Sequence, residues 1–135
     1  MNLALDANLS QYLAHAIDAL PAAEHGRAIS IPERFGPGVE DQHWIEELHR
    51  EGGWAVLTQD RMLRSRPHGR RALEQSGLVV FLLAAAWAKQ QYWPKAAGII
   101  RWLPCMLRAF GQASPPALFS VPYRWAAAPL RTFKE

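Results

Sequence analysis

Three short apolar segments, each about the length of one β-strand, constrain the fold of this chain more than any other feature. They are Leu3–Leu5, Trp54–Leu57 and Leu78–Leu83; all three are apolar throughout, and the last is the longest. Strands that are apolar throughout are typical of a parallel sheet that is buried on both faces. Helical apolar spacing alternates with these segments, so the sequence predicts an α/β fold with a mainly parallel central sheet.

The remaining elements are weaker in the sequence. The patterns predict helices at 11–20, 41–50 and 90–110, and further strands at 28–31 and 118–121. The stretch 32–39, which contains two prolines and two glycines, predicts a loop. Right-handed crossovers place the carboxyl ends of parallel strands at one edge of the sheet, where ligands bind in folds of this class. We therefore expect the functional site at that edge.

The charge is unevenly divided along the chain, although the net charge of its 135 residues is only +3. Residues 1–60 carry a formal charge of −7, and residues 61–135 carry +10. Either these charges interleave on a folded surface, or an acidic metal pocket lies beside a basic surface for a polyanion. One cysteine, no recognisable secretory signal and no apolar run long enough to span a bilayer predict a cytoplasmic protein without a membrane partner.

Three acidic residues stand at the ends of predicted elements. Asp6 follows the first strand, Asp60 follows the third, and Asp41 begins the helix between them. Converging carboxylates repel one another unless a cation neutralises them, and Mg²⁺ and Mn²⁺ prefer oxygen ligands. Such a metal can ready a water for attack on a phosphodiester. Each aspartate taken alone is also explained as a helix or turn cap, which leaves capping open as the alternative.

Other chemistries match the sequence less well. It contains no P-loop, no Gly-x-Gly-x-x-Gly and no Gly-x-Ser-x-Gly. A receiver-like signalling domain would need a second acidic residue after the first strand and a lysine at a late strand end, and neither is present. His43 and Glu47 are expected on a solvated helix face, and Cys105 in the core. The six tryptophans are expected to pack in the core and at its edges and not to serve as base-stacking platforms, and Trp93 and Trp125 are the two for which base stacking stays open.

Three motifs occur in the order and spacing of small PIN-like domains. They are Leu5-Asp6-Ala7-Asn8-Leu9-Ser10, Asp41-Gln42-His43-Trp44-Ile45 and Val56-Leu57-Thr58-Gln59-Asp60-Arg61. The chain most resembles the VapC-type branch, whose members also carry Arg-x-Arg-Pro after the third acidic residue, here Arg64-Ser65-Arg66-Pro67. The likeness covers residues 1–121, so we expect one PIN-like nuclease domain there and a tail at 122–135 that packs on it.

The resemblance implies a three-layer sandwich with strand order 2-1-3-4 and a further edge strand. It implies an endoribonuclease that depends on Mg²⁺ or Mn²⁺ and hydrolyses RNA phosphodiesters, often as the toxin of a toxin–antitoxin pair. The expected partners are an RNA substrate and an antitoxin protein, and a homodimer is a further expectation. The alternative is a catalytically weak PIN-like protein that binds RNA or a partner.

The resemblance also implies roles for individual residues. Asp6, Asp41 and Asp60 would be the catalytic residues and the metal ligands, with Asn8 and Thr58 in support. Larger PIN nucleases have a fourth acidic residue, for which Glu40 is the nearest counterpart here.

A cluster of arginines follows the third acidic residue. Arg61, Arg64 and Arg66 are candidates for contacts with RNA phosphates, because guanidinium matches phosphate geometry. A solvated basic turn is the other interpretation of this cluster.

Overall fold

A six-stranded sheet forms the centre of the protein in the computed structural model, which describes residues 1–20, 26–59 and 75–132. The strands are β1 (Asn2–Leu5), β2 (Ala28–Ser30), β3 (Trp54–Thr58), β4 (Val79–Leu83), β5 (Ala117–Val121) and β6 (Arg131–Thr132). Their order is β2-β1-β3-β4-β5-β6; the first five strands are parallel, and β6 is antiparallel to β5. The predicted α/β fold with a mainly parallel sheet is confirmed.

The sheet contains the predicted order 2-1-3-4 and extends it by two strands on the β4 side. The strand predicted at 118–121 lies one position in from the edge, because β6 pairs with β5 through Phe119 with Thr132 and Ser120 with Arg131. The edge of the described sheet is therefore formed by the chain returning after Pro122. A strand of two residues has no periodicity to detect, which explains why the sequence did not predict it.

Helices cover both faces of the sheet and complete three layers. The helices are α1 (Gln11–Asp18), α2 (Ile31–Phe35), α3 (Asp41–Glu51) and α4 (Tyr92–Gln112), with a 3₁₀ helix at Ala85–Lys89. Leu13 of α1 and Ile99 of α4 pack with Leu5 on one face. On the other face, Trp44 of α3 packs with Val56 of β3. Every residue of β3 and β4 is buried, as their apolar sequences predict.

The segment predicted as a loop at 32–39 begins with a helix instead. Ser30 is the N-cap of α2 and its Oγ accepts a hydrogen bond from the Glu33 amide at 3.4 Å. Pro32 lies in the first turn of the helix, where its missing N–H would have had no helical partner. The helix ends at Gly36, whose φ of 98° favours glycine. The prolines and glycines therefore mark the two ends of a short helix and the turn after it.

Among the described residues, no helix is both long enough and apolar enough to cross a membrane.

Candidate metal centre

The backbone of the sheet fixes the position of Asp6 at the end of β1. The Asp6 amide donates to the Leu57 carbonyl at 3.1 Å, which continues the pairing of β1 with β3 by one residue. The Asp6 carbonyl accepts from the Leu9 amide at 3.0 Å and closes the turn that leads to α1. Ser10 then caps α1 by accepting from the Tyr12 amide. Sheet and turn together hold Asp6 at the carboxyl edge.

The Asp6 carboxylate is oriented by hydrogen bonds to both of its oxygens. Oδ1 accepts from the Ala7 amide at 2.7 Å, and Oδ2 accepts from Oγ1 of Thr58, also at 2.7 Å. Asp6 is 8% exposed and Thr58 is 1% exposed, so the second bond lies away from bulk water. Thr58, predicted to support the site, therefore contacts the first predicted ligand directly.

Asp41 is the first residue of α3, and a buried tryptophan anchors its side chain. Nε1 of Trp44 donates to Oδ1 of Asp41 at 3.1 Å, and Trp44 is 1% exposed in the core between α3 and the sheet. The N-cap position of α3 belongs to Glu40, whose side chain makes no capping hydrogen bond. The interpretation of Asp41 as the cap of this helix is therefore wrong.

Asp6 and Asp41 lie toward the same face and the same edge of the sheet. Side chains two residues apart on a strand point to the same face of the sheet, so Asp6 lies on the face of Ala4, which packs in the cluster beneath α3. Gly52 and Gly53, with φ of 78° and 77°, join the end of α3 directly to the start of β3. Both elements are about 16 Å long, so α3 returns along β3 and its first residue reaches the level where β3 ends.

The third predicted ligand and the predicted phosphate contacts lie outside the described residues. These are Asp60, Arg61, Arg64 and Arg66. Within the described ranges, no three His, Cys, Asp or Glu residues come together as a metal-binding group. A three-carboxylate site in this protein therefore requires at least one residue outside the described ranges, and the predicted one is Asp60, which follows β3 by two residues in the sequence.

The two other residues predicted to support the site are both exposed. Asn8 lies in the turn after Asp6, and Glu40 precedes α3. Further along α3, the Arg50 guanidinium donates to the Glu47 carboxylate and lowers the pKa of Glu47. This ion pair and the exposed His43 agree with the solvated helix face that the sequence predicted for this side of α3.

A cavity of about 260 Å³ opens beside the turn that follows Asp6. The turn and the start of α1 form one side, and the first turn of α4 forms the other; the lining residues are Asn8, Leu9, Ser10, Leu13, Tyr92, Lys95 and Ala96. Nζ of Lys95 donates to Oε1 of Gln59 at 3.0 Å, which ties α4 to the chain just after β3.

Sequence reasoning missed the residues that α4 contributes to this cavity. Trp93, expected to pack in the core or at its edge, is 79% exposed, so that prediction is wrong. Its ring lies edge-on to Tyr92, with the centroids 5.1 Å apart. The sequence did contain a signal for this exposed position. Two adjacent aromatic residues precede Pro94 and Lys95 at the predicted start of a helix, where side chains are often exposed. Trp125, in contrast to Trp93, is covered by another side chain: Cζ of Arg101 lies over its ring, 4.1 Å from the ring centroid.

Comparison with known families and proteins adds one finding to this geometry. The family model described as a PIN-like domain matches residues 1–85, which is more than half of the chain and contains Asp6, Asp41 and Asp60. No curated protein and no solved structure matches the chain.

Proposed function

The chain belongs to the PIN-like domain family, and from that premise we propose that it is a metal-dependent endoribonuclease acting at the edge where β1 and β3 end. PIN domains are generally nucleases that use divalent metal ions. The observation that carries the proposal is the buried Asp6 carboxylate, which Thr58 orients across two strands at that edge. Asp41 begins a helix on the same face of the sheet.

The side chains available at this edge fit a hard divalent cation. Asp6 and Asp41 offer carboxylate oxygens and Thr58 a hydroxyl, and oxygen ligands are those that Mg²⁺ and Mn²⁺ prefer. We propose that Asp6, Asp41 and Asp60 hold the ion, with Asn8 and Thr58 in support. When bound, the ion would acidify a water for attack on the phosphodiester and stabilise charge on the departing oxygen.

The protein's own contribution is to fix the carboxylates of Asp6 and Asp41 before RNA arrives. Asp6 is held by Ala7 and Thr58, and Asp41 is held by the indole of Trp44. Groups that are already oriented need little reorganisation during the reaction, and this is a large part of enzymatic rate enhancement. Arg61, Arg64 and Arg66 would hold the RNA phosphates against repulsion from the same carboxylates.

We also propose the narrower assignment to a VapC-type toxin with an antitoxin protein as partner. The support for this is the sequence Arg64-Ser65-Arg66-Pro67 after Asp60. A rival function is a catalytically weak PIN-like protein that binds RNA or a partner. The rival is favoured by the lack of a clear fourth acidic residue, because Glu40, the nearest counterpart, is exposed.

An RNA cleavage assay tests the proposed function. Purified protein is incubated with labelled RNA in Mn²⁺ or in chelator, and the wild type is compared with Asp60→Asn. Glu46→Gln is the matched control, since Glu46 is an exposed acidic residue on α3 that bonds to Gln42. We expect cleavage in Mn²⁺ by the wild type and the control, and none by Asp60→Asn. Binding of RNA without cleavage in any metal would favour the rival.

A further inference from the structure

We propose that the cavity between the β1–α1 turn and the first turn of α4 binds one unpaired base of a single-stranded RNA. The inference rests on the proposed function, because it names a substrate contact of the same nuclease site. None of the residues that α4 contributes to the cavity belongs to the expected metal centre. The argument depends on the chemistry of the cavity wall, on its distance from Asp6 and on the charge of the chain.

The wall of the cavity suits a flat ring with polar edges. Tyr92, an aromatic residue that is 43% exposed, lines the cavity, and Leu9 and Leu13 add buried apolar surface. Every nucleobase has a π-face, so an exposed aromatic ring can stack on any of them. A cavity of about 260 Å³ is small for a drug-sized ligand, whose pockets typically exceed ~300 Å³. One base is therefore a better match than a larger ligand.

Polar groups at the cavity can contact the edge of such a base. The Asn8 side chain is exposed and offers both a carbonyl acceptor and an amide donor. The Lys95 ammonium has three donors, of which one reaches Gln59. Hydrogen bonds of this kind to the edges of unstacked bases, combined with aromatic stacking, are how proteins commonly recognise single-stranded RNA.

The cavity lies close to the proposed site of cleavage. Asn8 is two residues from Asp6, so their Cα atoms are at most about 7.6 Å apart. On the other side, Lys95 bonds to Gln59, the residue after Thr58, and Thr58 bonds to Asp6. The cavity lies on the α1 and α4 side of the edge at which β1 and β3 end, so we expect the backbone of a nucleotide bound there to cross that edge toward Asp6. Double-stranded RNA cannot place a base there without unpairing it.

Two further observations favour RNA over a protein as the occupant. The aromatic pair Tyr92 and Trp93 projects from a helix start whose next charged residue is Lys95, and residues 61–135 together carry +10. Exposed aromatic rings interleaved with positive charge are the combination that single-strand binding proteins use. A peptide-binding groove would instead need an apolar surface much longer than this cavity.

Abasic scanning of a short RNA tests the proposal. Fluorescence anisotropy measures binding of single-stranded oligoribonucleotides in chelator at low salt, with one base removed at each position in turn. For the wild type we expect one position at which base removal weakens binding about 5- to 150-fold, the range expected for one aromatic stack. In Tyr92→Leu, the intact RNA should bind more weakly by a similar factor, and base removal at that position should have little further effect.

Two more variants make the result specific. Tyr12→Leu is the matched control, because Tyr12 is 66% exposed on α1 and does not line the cavity; it should retain the wild-type abasic profile. Lys95→Met gives a second reading if Tyr92→Leu folds poorly, as judged by thermal melts, and it should also weaken binding of the intact RNA. A flat abasic profile in the wild type, or an unchanged profile in both cavity variants, would overturn the proposal.

The outcome is independent of the test of nuclease activity. If base removal weakens binding at one position but the protein does not cleave RNA in Mn²⁺, the proposed base site is supported and the proposed nuclease function is contradicted. The opposite result is that the wild type, Tyr92→Leu and Lys95→Met all cleave RNA at equal rates and the abasic profile is flat. That result would support the proposed nuclease and contradict the proposed base site.

Discussion

Thr58 Oγ1 donates a buried hydrogen bond of 2.7 Å to Asp6 Oδ2, and the two residues are 52 positions apart in the sequence. The register of the sheet makes this contact, because Leu5 pairs with Leu57 and the next residues of both strands become neighbours. The acidic residue at the end of β1 is therefore positioned by the last residue of β3. Any change in the pairing of these two strands will alter the site.

Thr58→Val should destabilise the protein, since the buried Asp6 carboxylate loses a donor while the shape of the side chain is kept. We expect the free energy of unfolding to fall by about 1–3 kcal/mol, measured by urea denaturation at neutral pH. Thr132→Val in β6 is the control, because Thr132 is exposed and should change stability little. Equal effects of the two substitutions would mean that the Thr58 hydroxyl contributes nothing to folding.

Leu5→Ala should destabilise by about 2–5 kcal/mol, because Leu5 is fully buried between the neighbouring strands β2 and β3 and its truncation leaves a cavity. Leu20→Ala provides the comparison, as Leu20 is 36% exposed after α1 and should shift stability by no more than about 0.5 kcal/mol. Thermal unfolding of the two variants separates these expectations. Similar melting temperatures would contradict the burial of Leu5 in the core.

Two glycines of α4 should respond in opposite directions to replacement by alanine. A Cβ on Gly98 would lie 2.9 Å from Cη2 of Trp87, which is fully buried, so Gly98→Ala should destabilise by about 1–3 kcal/mol. A Cβ on Gly111 would meet nothing within 4 Å, so Gly111→Ala should stabilise by about 0.5–1 kcal/mol through helix propensity. Denaturant midpoints measure both effects. If Gly98→Ala stabilised the protein, α4 would not pack against Trp87 as described.

Arg64→Ala combined with Arg66→Ala should weaken RNA binding for all sequences, because binding to phosphates carries no base information. The slope of log affinity against log salt concentration should fall by about 0.7 for each phosphate that the variant no longer neutralises. Titrations of single-stranded RNA at several salt concentrations give this slope. The control is the pair Arg124→Ala and Arg131→Ala, two arginines of the C-terminal segment outside the basic cluster. An unchanged slope with unchanged cleavage would assign Arg64 and Arg66 to another role.

The sheet could be predicted because its signal is local. β3 and β4 are buried on both faces, and burial of this kind requires apolar residues at nearly every position. The strand order came from the resemblance to PIN-like domains and not from periodicity. The helix α2 was missed because it depends on a cap by Ser30, and β6 was missed because pairing with β5 alone defines it.

The site could be predicted only in part, for a related reason. The types and positions of Asp6 and Thr58 are visible in the sequence, but their contact depends on the register between two strands. The cavity depends on the packing of α4 against a turn more than 80 residues earlier, which no local pattern encodes. Trp93, whose ring contacts the cavity-lining Tyr92, was therefore expected to pack in the core or at its edge, although it is mostly exposed.

Direct titration of Mn²⁺ tests the central claim, which is that aspartates from separate elements form one cation site. Electron paramagnetic resonance of free Mn²⁺ would be followed as wild type, Asp6→Asn, Asp41→Asn and Glu46→Gln are added. We predict that the wild type and Glu46→Gln bind equally, and that Asp6→Asn and Asp41→Asn each weaken binding by at least about tenfold. Wild-type affinity in Asp41→Asn, with the protein folded, would contradict the shared site.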